Sequence, residues 1–356
     1  VIYMSIVLRN SRKIIIDRSL LEVTNKLKEI NSDVSREFLM LLKDLGVDII
    51  EINDVVLNKV KNLPENLDYI YRIDNISNLH FIDRYKMNFK CLVIDYKELL
   101  NLNKEILNGL RNSRIMIEVD IKAIDQLCLE KNIEIFNKLD VECVRIKGVI
   151  KYDIYGLDRL IENIRRYFSS NVDLCADSGF YMATAISIEA CMDGADSITA
   201  AFNGQIYGLA ALEEVILGLK VIKNGKLSGD LKVIKKLTKV YEKLSYEKIY
   251  CMKPVIGEDI FKCESGIHVD GMEKDPNTYE PYNPYDIGSI RTVYIGKHSG
   301  KKSVMIKLKK LNIDYRNINV NEILKKVRET SIKLNRNVFD DELIQICNDL
   351  KDTCLK

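Results

Sequence analysis

Eight short β-branched apolar runs, separated by helix-like segments, constrain the fold of this chain more than any other feature. They lie at residues 14–17, 49–52, 69–73, 91–95, 115–119, 143–146, 172–175 and 197–202. Continuous apolar runs of this length predict strands buried on both faces. Amphipathic stretches at 33–45, 156–168 and 181–194 lie between them, and Gly46 after Leu45 reads as a helix C-cap. Eight β-then-α units predict an α/β fold, a (β/α)8 TIM barrel. The alternative is an open doubly wound sheet, but no Gly-rich phosphate-binding fingerprint follows the first run.

The texture changes near residue 250, where Pro254, Pro276, Pro281 and Pro284 fall among several glycines and aromatic residues. From about 301 the chain turns helical and charged. The expected organisation is a degenerate barrel over 1–245, a loop-rich linker or lid subdomain over 246–300, and a small helical subdomain over 301–356. With 356 residues, 47% of them hydrophobic and 30% charged, the chain is long enough for that plan. A net charge of +2, with scattered Lys and Arg, excludes a case for nucleic acid or anionic membrane. Nine cysteines without a Cys-x-x-Cys pair suggest buried, reduced thiols and a cytoplasmic protein. The apolar start at residues 1–8 lacks the basic flank and cleavage site of a signal peptide. No apolar run is long enough to span a bilayer.

Two of the three histidines sit in polar, Gly- and Ser-rich motifs. One is Glu264-Ser265-Gly266-Ile267-His268-Val269-Asp270-Gly271, the other Gly296-Lys297-His298-Ser299-Gly300-Lys301. A histidine flanked by small residues suits proton transfer, because backbone can approach closely and its ordinary pKa lies near neutral. The third, His80, lies in a helix-like stretch away from any motif and reads as surface or packing.

These two motifs, with Met182-Ala183-Thr184-Ala185, Asn203-Gly204 and Ala210-Ala211-Leu212-Glu213-Glu214, resemble the homocitrate synthase and isopropylmalate synthase family. The resemblance covers essentially the whole chain. Isopropylmalate synthases generally carry an added C-terminal regulatory domain, and the chain ends too early for one, which points to the homocitrate branch. The resemblance implies an acyltransferase that condenses acetyl-CoA with a 2-oxo acid. A divalent metal at the C-terminal face of the barrel would hold that acid and polarise its keto carbon. It also implies a linker that crosses to a partner subunit and supplies a His and a Tyr, here His268 and Tyr279. Glu264, Ser265, Gly266 and His298 would shape the lid loop.

The barrel departs from the family at nearly every catalytic position. The family's Asp-Thr-Thr-Leu-Arg-Asp-Gly-Glu-Gln run aligns with residues 17–25, placing Leu21 at the catalytic Arg and Glu22 at the metal-binding Asp. The His-x-His falls on Cys175-Ala176-Asp177, and the Asn ligand falls near Leu209 in a shortened loop. After the sixth strand Gly148-Val149 replaces the family's Asp-Thr. No metal is expected on these degenerate positions, Glu22, Cys175, Asp177 and Leu209. The resemblance is thus to one half of a split homocitrate synthase. The other half, a catalytic alpha-type subunit, would hold the Mg²⁺ or Mn²⁺, and acetyl-CoA and 2-oxoglutarate would meet at a shared site. Homocitrate, the organic acid of the nitrogenase cofactor, would be the product. Two alternatives stay open: a non-catalytic scaffold or regulator of such an enzyme, and a self-sufficient enzyme with a metal re-sited on Glu22, Cys175 and Asp177.

Overall fold

The computed structural model describes residues 6–75, 88–151, 156–316 and 318–354. The chain divides into two compact units, Val1–Ile249 and Tyr250–Lys356.

In the first unit a hairpin of β1 (Ile6–Leu8) and β2 (Ser11–Asp17) leads into seven further parallel strands. These are β3 (Ile49–Ile52), β4 (Asp68–Arg72), β5 (Phe89–Asp95), β6 (Arg114–Asp120), β7 (Asp140–Val149), β8 (Asn171–Ala176) and β9 (Ser197–Ala200). Each pairs with the next in parallel, and β9 pairs back to β2 with Ile14 opposite Ser197 and Asp17 opposite Ala200, so the sheet closes. All eight predicted runs fall on these eight barrel strands. β10 (Lys226–Leu227) pairs antiparallel with β1. Helices fill the crossovers: Ser32–Leu45 ends on Gly46, left-handed at φ 107°. Helices Leu157–Phe168 and Ala183–Met192 likewise match the amphipathic stretches within a few residues.

The inward faces of the strands run from apolar to charged along the chain direction. Side chains two apart share a face of a strand. Thus Ile49 precedes Glu51, Ile70 precedes Arg72, Met116 precedes Glu118, and Cys143 precedes Arg145 and Lys147. Ile16, Ile70, Cys91, Val93, Met116 and Cys143 form one buried apolar cluster. The charged set stands nearer the C-terminal ends, where barrels of this kind carry their chemistry.

The second unit opens on a parallel pair, β11 (Lys262–Cys263) and β12 (Thr292–Val293). Four helices follow in chain order, Gly266–Lys274, Lys301–Lys310, Val320–Leu334 and Asp340–Cys354, the first lying between the two strands. Ile295, Val304, Leu308, Ile323, Val327, Val338, Leu343 and Cys347 form its core. Of the cysteines, Cys91, Cys143, Cys175, Cys191 and Cys347 are buried free thiols, as expected. Cys251 departs from that expectation by being exposed, while Cys128 and Cys263 are half-buried. His80 lies outside the described residues.

Candidate functional site

The second unit brings the two histidine motifs together. Gly266 opens its helix directly against Gly300, which precedes the helix Lys301–Lys310. A Cβ on Gly266 would come within 2.8 Å of the Gly300 Cα, so neither backbone leaves room for a side chain. Glu264 reaches across the joint: its Oε1 accepts from the backbone N–H of His298 at 2.8 Å. Ser299 closes the second loop on itself, its hydroxyl accepting from the Gly296 N–H at 2.9 Å. Arg328 then holds the Ser299 carbonyl at 2.6 Å. Glu264, Ser265, Gly266 and His298 therefore lie around one joint, Ser265 as the N-cap residue of the helix that carries His268.

His268 lies in the first turn of that helix. It is exposed, and its ring lies 4.5 Å from the ring of Tyr279, centroid to centroid and tilted by 46°. Gly271, one turn along the helix, makes this possible: a Cβ there would fall 2.4 Å from the Tyr279 ring. The adjacent Glu280 is buried and held by Arg291 Nε at 2.6 Å, which fixes the turn that presents Tyr279. Asp270, on the same helix, pairs with Lys274 at 2.8 Å and with Lys302. The sequence reading missed Gly271, Asp270, Arg291 and Arg328. Asp270 and Gly271 lay inside the quoted motif; Arg291 and Arg328 carry no local signal.

At the C-terminal ends of the barrel strands the side chains are engaged with one another. Glu51 is fully buried and faces three cations: Arg145 at 2.5 Å, Arg72 at 2.6 Å and Arg18 at 3.8 Å. Those guanidinium groups outweigh burial and hold its carboxyl down at about 2. Arg145, also fully buried, binds Asp173 at 2.6 Å and approaches Glu118 at 3.5 Å. Glu118 pairs with Arg72 and takes Lys147 at 2.8 Å, and Lys147 reaches Asp95 at 3.3 Å. Ser197 and Thr199 donate to Asp173 at 2.7 Å each. Sequence reading found none of this network, because each member is a lone charge inside an apolar run.

The four degenerate positions sit at this end but form no ligand set. Glu22 is bound to Arg18 at 2.8 Å. Cys175 is buried, and desolvation pushes its thiol up to about 11, so it is protonated near neutral pH. Asp177 accepts from the Gly179 N–H at 2.8 Å and bridges to Leu209, which has no ligating side-chain atom. Leu21 is buried in the helix Ser19–Lys26. Gly148 is left-handed at φ 74°, with Asp120 only 2.6 Å from where a Cβ would stand. Among the described residues no group of three or more His, Cys, Asp or Glu could hold a metal ion. The divalent ion implied by the resemblance does not fit the residues present in this barrel.

The other quoted segments have structural work. Thr184 donates to Glu214 at 3.0 Å, tying the helix Ala183–Met192 to the helix Leu212–Val221. Asn203, left-handed at φ 54°, gives its N–H to Glu213 at 3.0 Å. Gly204 packs so closely on Ala210 that a Cβ would meet its carbonyl oxygen at 2.1 Å.

This closed barrel is that of the HMG-CoA lyases. The *Bacillus subtilis* HMG-CoA lyase structure superposes with a TM-score of 0.52 at 15% identity, covering 67% of this chain and 95% of its own. The *Brucella melitensis* HMG-CoA lyase gives 0.51 at 10% identity, covering 67% and 100%. The particular family is narrower. Residues 255–334 match the family described as homocitrate synthase post-HMGL domain-like. The homocitrate synthase omega subunit of *Clostridium pasteurianum* is 43% identical over 96% of this chain and 97% of its own length. The homocitrate synthase AksA of *Methanothermobacter thermautotrophicus* is 34% identical over 52% of this chain and 48% of its own. 2-Isopropylmalate synthase 2 of *Caldanaerobacter subterraneus* is 32% identical over 56% and 52%. The chain belongs to the homocitrate synthase family, among acyltransferases of the condensing type. No helix of the described residues is long and apolar enough to cross a membrane.

Proposed function

We propose that this chain is the lid-donating half of a two-subunit homocitrate synthase. The observation that carries the proposal is a contrast within one molecule. His268, on the helix Gly266–Lys274, and Tyr279, on the turn that follows it, are both exposed and stand in ring contact. The family's catalytic positions in the barrel are filled by Leu21, by a Glu22 bound to Arg18, by a protonated Cys175 and by Leu209. The *C. pasteurianum* relative is itself an omega subunit, which favours division of labour with an alpha-type partner.

In this reading the partner's barrel holds acetyl-CoA, 2-oxoglutarate and a divalent ion, Mg²⁺ or Mn²⁺, whose chemistry is to polarise the keto group. This chain supplies the proton-transfer group. His268 acts as general acid or base on the acetyl group or the developing alkoxide, within hydrogen-bond reach once the lid closes. Tyr279, against the imidazole, limits its swing and offers a hydroxyl to the same site. The lid also excludes water from the thioester until condensation is complete. Overall, acetyl-CoA, 2-oxoglutarate and water give homocitrate and CoA. The isolated chain, lacking the acetyl-CoA and 2-oxo-acid machinery, is inactive.

A second reading has its own support. The buried charge network fills the interior of the barrel with side chains paired to one another, which suits a scaffold subunit. The self-sufficient enzyme has no such support, since Glu22 is already taken by Arg18. The test is thiol release from acetyl-CoA with 2-oxoglutarate and Mn²⁺, comparing the purified chain with the chain co-expressed beside a homologous barrel subunit from the same genome. Activity only in the pair supports the split enzyme. Activity in the chain alone overturns it.

A further inference from the structure

The misfit between the barrel and a divalent ion has a definite structural form, and it points to Arg18. This residue follows β2 directly and is the N-cap residue of the helix Ser19–Lys26. Its guanidinium contacts Glu22 at 2.8 Å and faces the buried Glu51 at 3.8 Å. Glu22, the position aligned with the family's metal-binding Asp, is thus already paired with this guanidinium. From there the charges alternate: Glu22, Arg18, Glu51, Arg72, Glu118, Lys147, Asp95. Below them Arg145 ties Glu51, Glu118 and Asp173 together.

We propose that Arg18 is a built-in cation that occupies the electrostatic role of the divalent ion, so that this barrel is assembled and held without metal. A metal site needs carboxylates whose charge is otherwise unbalanced. Here that charge is already balanced by a side chain, and a divalent ion entering beside Arg18 meets repulsion rather than a ligand cage. Arg18 is a positioning residue: it keeps Glu22 and Glu51 in place and touches no substrate. The proposal concerns the barrel alone and stands whether or not the lid acts on a partner.

The test uses the full chain, with no partner. Melting temperature is measured in EDTA and in millimolar Mg²⁺, Mn²⁺ or Zn²⁺, together with elemental analysis of the purified protein. The wild type is expected to carry no stoichiometric metal and to melt at the same temperature throughout. Arg18→Ala is expected to melt at least about 5 °C lower in EDTA. It is also expected to regain part of that loss with Mn²⁺ or Zn²⁺, because Glu22 loses its ion-pair partner and the cation beside Glu51 is gone. Arg18→Lys retains the charge and stays metal-indifferent. If Arg18→Ala is insoluble, Arg18→Gln carries the same two readings. Stoichiometric metal or a metal-dependent rise in the wild type overturns the proposal, and so does an Arg18→Ala or Arg18→Gln variant that melts like the wild type or ignores metal.

Discussion

Single side chains in this molecule illustrate how burial and charge compete. Arg145 has no exposed surface and lies against Glu51, Glu118 and Asp173. Removing one partner from a buried charge set leaves the others uncompensated, which costs about 3–5 kcal/mol. Arg145→Met is expected to destabilise the chain by that amount in urea titration; a loss below about 1 kcal/mol would mean the network is solvated rather than buried. Asp48 shows the opposite case. Its side chain is buried, accepts from the Ile15 N–H at 2.9 Å, and has Arg12 3.5 Å away. Desolvation outweighs both and pushes its carboxyl up to about 7. The folded state therefore binds this proton more tightly than the unfolded chain, whose carboxyl titrates near 4. Its destabilising effect is absent below pH 4, grows as pH rises, and is complete above pH 7. Asp48→Asn keeps the acceptor for Ile15 and removes the charge. It is expected to gain about 1–3 kcal/mol relative to wild type between pH 4.5 and pH 8. Equal differences at the two pH values, read from melting curves, would refute the assignment. None of this was visible in the sequence, where Arg145 and Asp48 are ordinary charges beside apolar runs.

Elements were far more legible than their interiors. Eight apolar runs marked eight strands because a strand covered by helices on one side and closed over a core on the other must be apolar on most positions. The helix ending at Gly46 was marked by the one residue free to take a left-handed turn there. The charged inner layer escaped the same logic, since its members are separated by tens of residues and meet only when the sheet closes. The two histidine motifs were likewise legible as motifs, while their joint was not: Glu264 to His298 spans 34 positions. That joint makes a prediction at the scale of helices. Gly266→Ala inserts a methyl group against the Gly300 backbone, and such overpacking costs about 1–3 kcal/mol. Amide exchange is expected to speed up in the helices Gly266–Lys274 and Lys301–Lys310, with the barrel strands unchanged. Unchanged exchange in both helices would show that the contact is loose.

At the scale of the whole molecule, the chain keeps the family's closed barrel. Its eight strands carry the apolar pattern, and paired charges fill the inner layer toward their C-terminal ends. In the proposed function the chemistry of this chain lies in the second unit, on His268 and Tyr279. That proposal came from the sequence only through a family resemblance; composition and periodicity alone gave the barrel and left the role of His268 open. The central claim is that His268 serves a partner's site. The most direct measurement is turnover of the co-expressed pair with His268→Ala in this chain, at saturating acetyl-CoA and 2-oxoglutarate. Loss of a general acid–base lowers kcat by roughly two to four powers of ten. That loss is expected with the pair still assembled by size-exclusion chromatography and KM changed little. A variant pair that turns over as fast as wild type would contradict it, and would leave this chain a scaffold.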